Sequence, residues 1–127
     1  MTSMRTDGLI KSYTADAAIA PHRIVKAGST DSNTAQAAAA TDAIMGVHGS
    51  LPAVAGDVTD TVVSGYATVE YGGTVTRGQP LTSDAQGRAI AATAAGQRLV
   101  GFAVLSGVVG DLGTVHVTLG INAVAGA

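Results

Sequence analysis

The sequence predicts an all-β protein: a compact β-barrel or jelly-roll-like sandwich of short antiparallel strands, with an extended N-terminal arm. Three observations predict it. Seventeen glycines punctuate most of the 127-residue chain. The segments between them are short and rich in Val and Thr, residue types that suit a pleated, half-buried surface. One segment, Thr114 to Ile121, alternates, with Val115, Val117, Leu119 and Ile121 on one face and Thr114, His116, Thr118 and Gly120 on the other. Period two marks a strand with one dry face.

Taken in order, Met1-Thr2-Ser3-Met4-Arg5-Thr6-Asp7 is polar and has no apolar core of a signal peptide. Residues 1–8 read as an arm and residues 9–127 as a single β domain. Ile24 to Gly28 is β-rich. Thr34 to Ile44 is Ala-rich, which favours helix by propensity, but it is brief and lacks a stripe of larger apolar residues. It reads as strand plus turn, with a short helical turn open near Ala37–Ala43. Thr61 to Tyr71 reads as one long strand. Val63, Ala67, Val69 and Tyr71 lie on one side, and Val62, Ser64, Tyr66, Thr68 and Glu70 on the other. Gly65 in its middle marks a bulge or bend. Gly72-Gly73 closes it, and Thr74-Val75-Thr76 reads as the return strand of a hairpin. Ala89 to Ala95 is a second strand plus turn. Leu99 to Leu105 is apolar on both faces, which predicts a central strand or one covered by a partner.

An internal repeat is also suggested. Ile24-Val25-Lys26-Ala27-Gly28 precedes Thr74-Val75-Thr76-Arg77-Gly78 by 50 positions. Ile44-Met45-Gly46-Val47 and Leu99-Val100-Gly101-Phe102 lie 55 apart. A Ser/Thr/Asp turn and Ala-rich sequence sit between the landmarks in both copies. A duplicated β-unit would give two similar halves of one barrel.

Composition bounds the function. The apolar fraction is 46%, mostly Ala and Val, with no Trp, one Phe and three Tyr. Small side chains bury little area each, so the core should be thin and Val-rich, and contact with a partner or a second copy would add to it. Charged residues are 13% of the chain and net charge is −2, against about 25% charged in typical domains. Such a surface suits contact with another protein. Arg5, Lys11, Arg23, Lys26, Arg77, Arg88 and Arg98 are scattered and form no basic stripe, which argues against nucleic acid. No apolar stretch is long enough to span a bilayer. With no Cys, disulfides and thiolate metal sites are excluded.

No catalytic, cofactor or metal site is legible. His22 follows Pro21, His48 falls in the turn-like Gly46-Val47-His48-Gly49, and His116 sits on the polar face of its strand; no two are spaced as metal ligands on one element. The Asp residues mostly adjoin Gly, Ser, Thr or Asn, where they favour turns. Asp57-Val58-Thr59-Asp60 offers oxygen ligands but lacks the spacing of a calcium loop. There is no Gly-x-Ser-x-Gly, and the Gly-rich runs near Gly107–Gly113 lack the Lys-Ser/Thr ending of a phosphate loop.

The most individual stretch is Arg77-Gly78-Gln79-Pro80-Leu81-Thr82-Ser83-Asp84-Ala85-Gln86-Gly87-Arg88-Ala89, read physically as strand, turn and strand. Together with Gln97-Arg98-Leu99-Val100-Gly101-Phe102-Ala103 and Gly110-Asp111-Leu112-Gly113-Thr114-Val115-His116-Val117, it resembles the cement, or decoration, proteins of tailed-bacteriophage heads. The resemblance spans roughly residues 56–120 and rests on turn-and-strand patterns. It implies a virion protein, made in the host bacterial cytoplasm, that binds the capsid exterior, contacts the major capsid protein and bridges its neighbouring subunits after expansion. It also implies a homo-oligomer, dimer or trimer. Candidate contacts are Arg5 in the arm, the exposed member of the Tyr66/Tyr71 pair, and Thr82, Asp84 and Arg88 around the turn. The alternatives are another virion β-module (tail tube, spike or fibre) and a small β-barrel enzyme or ligand-binding domain.

Overall fold

Short runs of Val, Thr, Ile and Ala between turn residues give ten strands in the computed structural model, which describes residues 8–123. They are β1 (Ile10–Ala15), β2 (Ile24–Ala27), β3 (Asn33–Gln36), β4 (Ile44–His48), β5 (Val58–Val62), β6 (Gly65–Glu70), β7 (Pro80–Ser83), β8 (Ala89–Ala91), β9 (Arg98–Ala103) and β10 (Leu112–Ile121). The described residues contain no helix. The first five strands form a closed barrel in the order β1-β3-β2-β4-β5, and the last five a sheet in the order β6-β10-β9-β7-β8. Pairing is antiparallel except where the barrel closes: β1 and β3 run parallel, with Thr14 opposite Asn33 and Ala15 opposite Thr34.

The two five-stranded units are copies of one design. The antiparallel pairs β1·β5, β2·β3, β2·β4 and β4·β5 recur as β6·β10, β7·β8, β7·β9 and β9·β10. The lone bridge Ile19–Ala53 recurs as Val75–Gly107, and the β1–β3 closure survives in the second unit as one parallel bridge, Tyr71–Ala89. Local devices repeat as well. Gly56 donates to the Ala15 carbonyl at 2.8 Å, and Gly110 to the Tyr71 carbonyl at 2.9 Å. Asp57 caps the N–H of Val54 at 3.0 Å, and Asp111 that of Val108 at 2.9 Å. The duplication seen in the sequence is therefore real, with a corrected alignment. The Ile44/Leu99 landmark holds. The Ile24/Thr74 landmark does not, because β2 corresponds to β7, while Thr74–Thr76 forms no strand and contributes only the Val75 bridge.

The copies share one core. The second sheet is open between β6 and β8, and residues His22–Ile24 of the first unit fill the gap. Glu70 N–H donates to the His22 carbonyl at 3.0 Å, and Ile24 N–H to the Gly87 carbonyl at 2.7 Å. Ile24, Ala37, Ile44 and Val47 join Ala67, Val69, Tyr71, Leu81, Val100 and Val115 in a single buried cluster. The first barrel's own interior is small: Ala15, Ile19, Val25 and Ala53, with Met45 against them.

Four local expectations need correcting. Thr61–Tyr71 is not one strand. It breaks at Val63-Ser64, where the chain passes from barrel to second sheet, and Gly65 turns it with φ +93° while packing against Gly8. The partner of β6 is β10, not a hairpin return at Thr74–Thr76. Ala37–Ala43 is a turn without helix, because the Asp42 carboxylate takes the N–H groups of Ala38 and Ala39 at 2.8 and 3.0 Å. The alternation of β10 holds to Val117, after which a register shift before Gly120 leaves Leu119 and Ile121 exposed. As expected, β9 is the middle strand of its sheet. Arg5 and the rest of the arm up to residue 7 lie outside the described residues.

Candidate functional site

Alternation along β6 and β10 turns Ala67, Val69, Val115 and Val117 inward. It leaves Tyr66, Thr68, His116 and Leu112 on the outer face. Register then lines up a row across four strands: Tyr66 opposite His116, His116 opposite Phe102, Phe102 opposite Pro80. Tyr66 and His116 meet edge to face, ring centroids 5.2 Å apart. Tyr66 is 38% exposed and Phe102 41%. Aromatic side chains are enriched where protein surfaces meet.

The equivalent row in the first unit is Ile10, Val62, Val47 and Ile24, paired in the same way. There Val47 and Ile24 are buried against the second unit. The half of this face formed by Val47 and Ile24 is thus covered in the first copy, while Ile10 stays exposed, and the second copy carries aromatic and imidazole groups where the first is aliphatic.

A cleft of about 630 Å³ lies beside the join of the two units, lined by His22, His48, Leu51, Asp57, Asp60 and Thr68 among others. His48 is in strand β4 rather than a turn, because Gly46 forms a kink within the strand. It is buried, its Nε2 meets the Leu51 carbonyl at 2.5 Å, and its Nδ1 has no partner among the described residues. Among the described residues, no nucleophile is hydrogen-bonded to it. Among the described residues, no three His, Asp or Glu side chains gather as metal ligands.

Of the residues the sequence singled out, Tyr66 is on the open row. Tyr71 is wholly buried, so it presents nothing to a partner. Its hydroxyl donates to the Leu105 carbonyl at 2.6 Å, and burial, above all, pushes the phenol above its ordinary pKa. Thr82 is also buried, its hydroxyl donating to the Ala40 carbonyl at 3.3 Å. Asp84 and Arg88 are half-buried and satisfied by one another. Arg88 Nε reaches Asp84 Oδ2 at 3.0 Å, and Asp84 Oδ1 takes the N–H groups of Gln86 and Arg88, both at 2.8 Å. Arg23 of the first unit donates to the Gln86 carbonyl at 2.8 Å and to Glu70 at 3.2 Å. The Thr82–Arg88 turn therefore clasps the two units together. Phe102, His116 and Leu112 belong to the open face and were not singled out. The signal for Phe102 was present, since a strand apolar on both faces has one face in need of cover.

A search of curated proteins finds no match to the chain. Among solved structures, the chain is similar to the N base of the head fibre protein gp8.5 of bacteriophage phi29, with a TM-score of 0.67 at 20% identity, covering 87% of this chain and 93% of that one. At that identity the likeness is one of fold. The sequence itself matches the family model for phage cement protein over residues 4–119. That match spans nearly the whole chain, both copies of the unit included, and so the chain belongs to the phage cement protein family, a structural family of the virion and not an enzymatic one.

Proposed function

We propose that the chain binds the outer surface of the shell built by the phage major capsid protein, as a homo-oligomer (dimer or trimer), and bridges neighbouring subunits of the expanded head. It would be made in the host cytoplasm and act on the capsid exterior. The observation that carries this reading is the open face with Tyr66, His116 and Phe102. An aromatic row that the fold does not cover is suited to a protein partner. Family membership supplies the class of partner, and the fold shared with a phage head fibre base supports the same placement.

The test is co-sedimentation of the purified protein with expanded, empty heads of the phage that encodes it. Saturable pelleting at micromolar concentration is expected. The double variant Tyr66→Glu with Phe102→Glu should weaken it at least tenfold while keeping a native circular dichroism spectrum, because both side chains are on the surface. Absence of pelleting by the wild-type protein would overturn the proposal.

A further inference from the structure

Comparing the two units position by position separates what the fold needs from what it does not. Gly56 and Gly110 (φ +92° and +89°), together with Asp57 and Asp111, are needed by the turn they build. Other equivalent positions have no such explanation. Val54 and Val108 stand on the loop before each turn, 62% and 54% exposed. Val58 and Leu112 open the following strand, 73% and 55% exposed. Neighbouring positions that are also not buried have diverged: Ala55 in the first unit answers to Val109 in the second, and Thr14 to Glu70, the residues opposite Val58 and Leu112. A large apolar side chain kept in water at two equivalent positions, while neighbouring positions changed type, is a retained contact and not a packing requirement.

We infer that each chain carries two equivalent shell-binding patches, Val54/Val58 and Val108/Leu112, and that each takes the same surface of a different major capsid protein subunit. This rests on the cement reading above. The partner follows from the duplication: a shell offers many copies of one surface, and a chain that repeats its binding element meets two of them. Size points the same way. Two side chains are far short of the roughly 20–30 residues per side of a stable interface, so one patch alone holds weakly. Joining two through a rigid core makes the second contact intramolecular and raises overall affinity by about 10²–10⁴.

The experiment measures binding of the protein to expanded heads for three variants: Val54→Asp with Val58→Asp, Val108→Asp with Leu112→Asp, and all four together. Each double variant is expected to lose at least tenfold in affinity and to lower the apparent stoichiometry little. The quadruple variant should not bind. All four positions are exposed, and thermal melts check that the variants fold; the milder Val54→Ser with Val58→Thr and Val108→Ser with Leu112→Thr pairs serve if an Asp variant does not. If the wild-type protein fails to bind heads, the cement reading fails. If the wild type binds and one double variant binds as well as it does, the two-patch inference is overturned and the cement reading stands.

Discussion

Tyr71 shows how a core of small side chains is completed by one large one. It is the largest fully buried side chain among the described residues, and glycine at 107 and 113 leaves room for its ring. A Cβ at Gly107 would come within 2.8 Å of the ring, and one at Gly113 would overlap it outright. Gly113→Ala is therefore expected to destabilise by about 1–3 kcal/mol through overpacking. Tyr71→Phe should cost about 1 kcal/mol for the lost bond to the Leu105 carbonyl. Urea unfolding midpoints measure both. Asp16 makes a second residue-scale prediction. The Ser29 hydroxyl foremost, with the Ser29 N–H and the Asn33 amide, holds its carboxyl below the ordinary carboxylate range against the opposing effect of burial. The bond lengths are 2.8, 2.7 and 2.7 Å. A lowered folded pKa contributes stability above the unfolded value of about 3.9, which is lost as pH falls through the folded value. Asp16→Asn should thus melt below wild type at neutral pH, and the gap should close as pH falls below about 4. A gap unchanged down to pH 2 would contradict the assignment of these bonds.

At the scale of elements, Gly46 and Gly101 set the kinks of β4 and β9. At each, φ is near +155° (+153° and +156°), and a Cβ would strike a carbonyl of the paired strand, that of Val62 or of His116. Gly101→Ala should cost about 1–3 kcal/mol and loosen β9 from β10, read as faster amide exchange at Phe102 and Val117 than in the rest of the sheet. These glycines also show what the sequence made legible. The 55-residue recurrence around Gly46 and Gly101 was visible, as were the two faces of β6 and the central place of β9. The break at Val63-Ser64 was not, because β propensity and period two run straight through it, and the reason for the break is a contact with Gly8 far back in the chain. The alignment at Thr74 failed because Ala-, Val- and Gly-rich sequence matches itself at several offsets; the Gly-Asp pairs at 56–57 and 110–111 were the better landmark. For the candidate site, parity put Tyr66 and Tyr71 on opposite faces, but which face is inward depends on Gly107 and Gly113, distant in sequence from both.

At the scale of the whole molecule, the question is whether two copies of one unit unfold as two domains or as one. A unit of about 60 residues buries only some 60% of its unfolded surface and is marginal alone. The interior of the first barrel is small in addition, consisting of Ala15, Ile19, Val25 and Ala53 with Met45. The second sheet is not closed without the first unit, which supplies His22–Ile24 to its gap and Ile24, Ala37, Ile44 and Val47 to its core. Neither copy can lose its structure without exposing the other's apolar interior. Thermal unfolding should therefore be a single transition with equal calorimetric and van't Hoff enthalpies. Ile24→Ala, which removes a wholly buried side chain at the join, should cost about 2–5 kcal/mol and lower that one transition without splitting it. Slow amide exchange should be lost together in β4 and in β9. Two resolved transitions, or protection lost in the first unit alone, would show that the halves are independent. In that case the fixed spacing between the two exposed patches, on which a rigid two-point clamp depends, would have no structural basis.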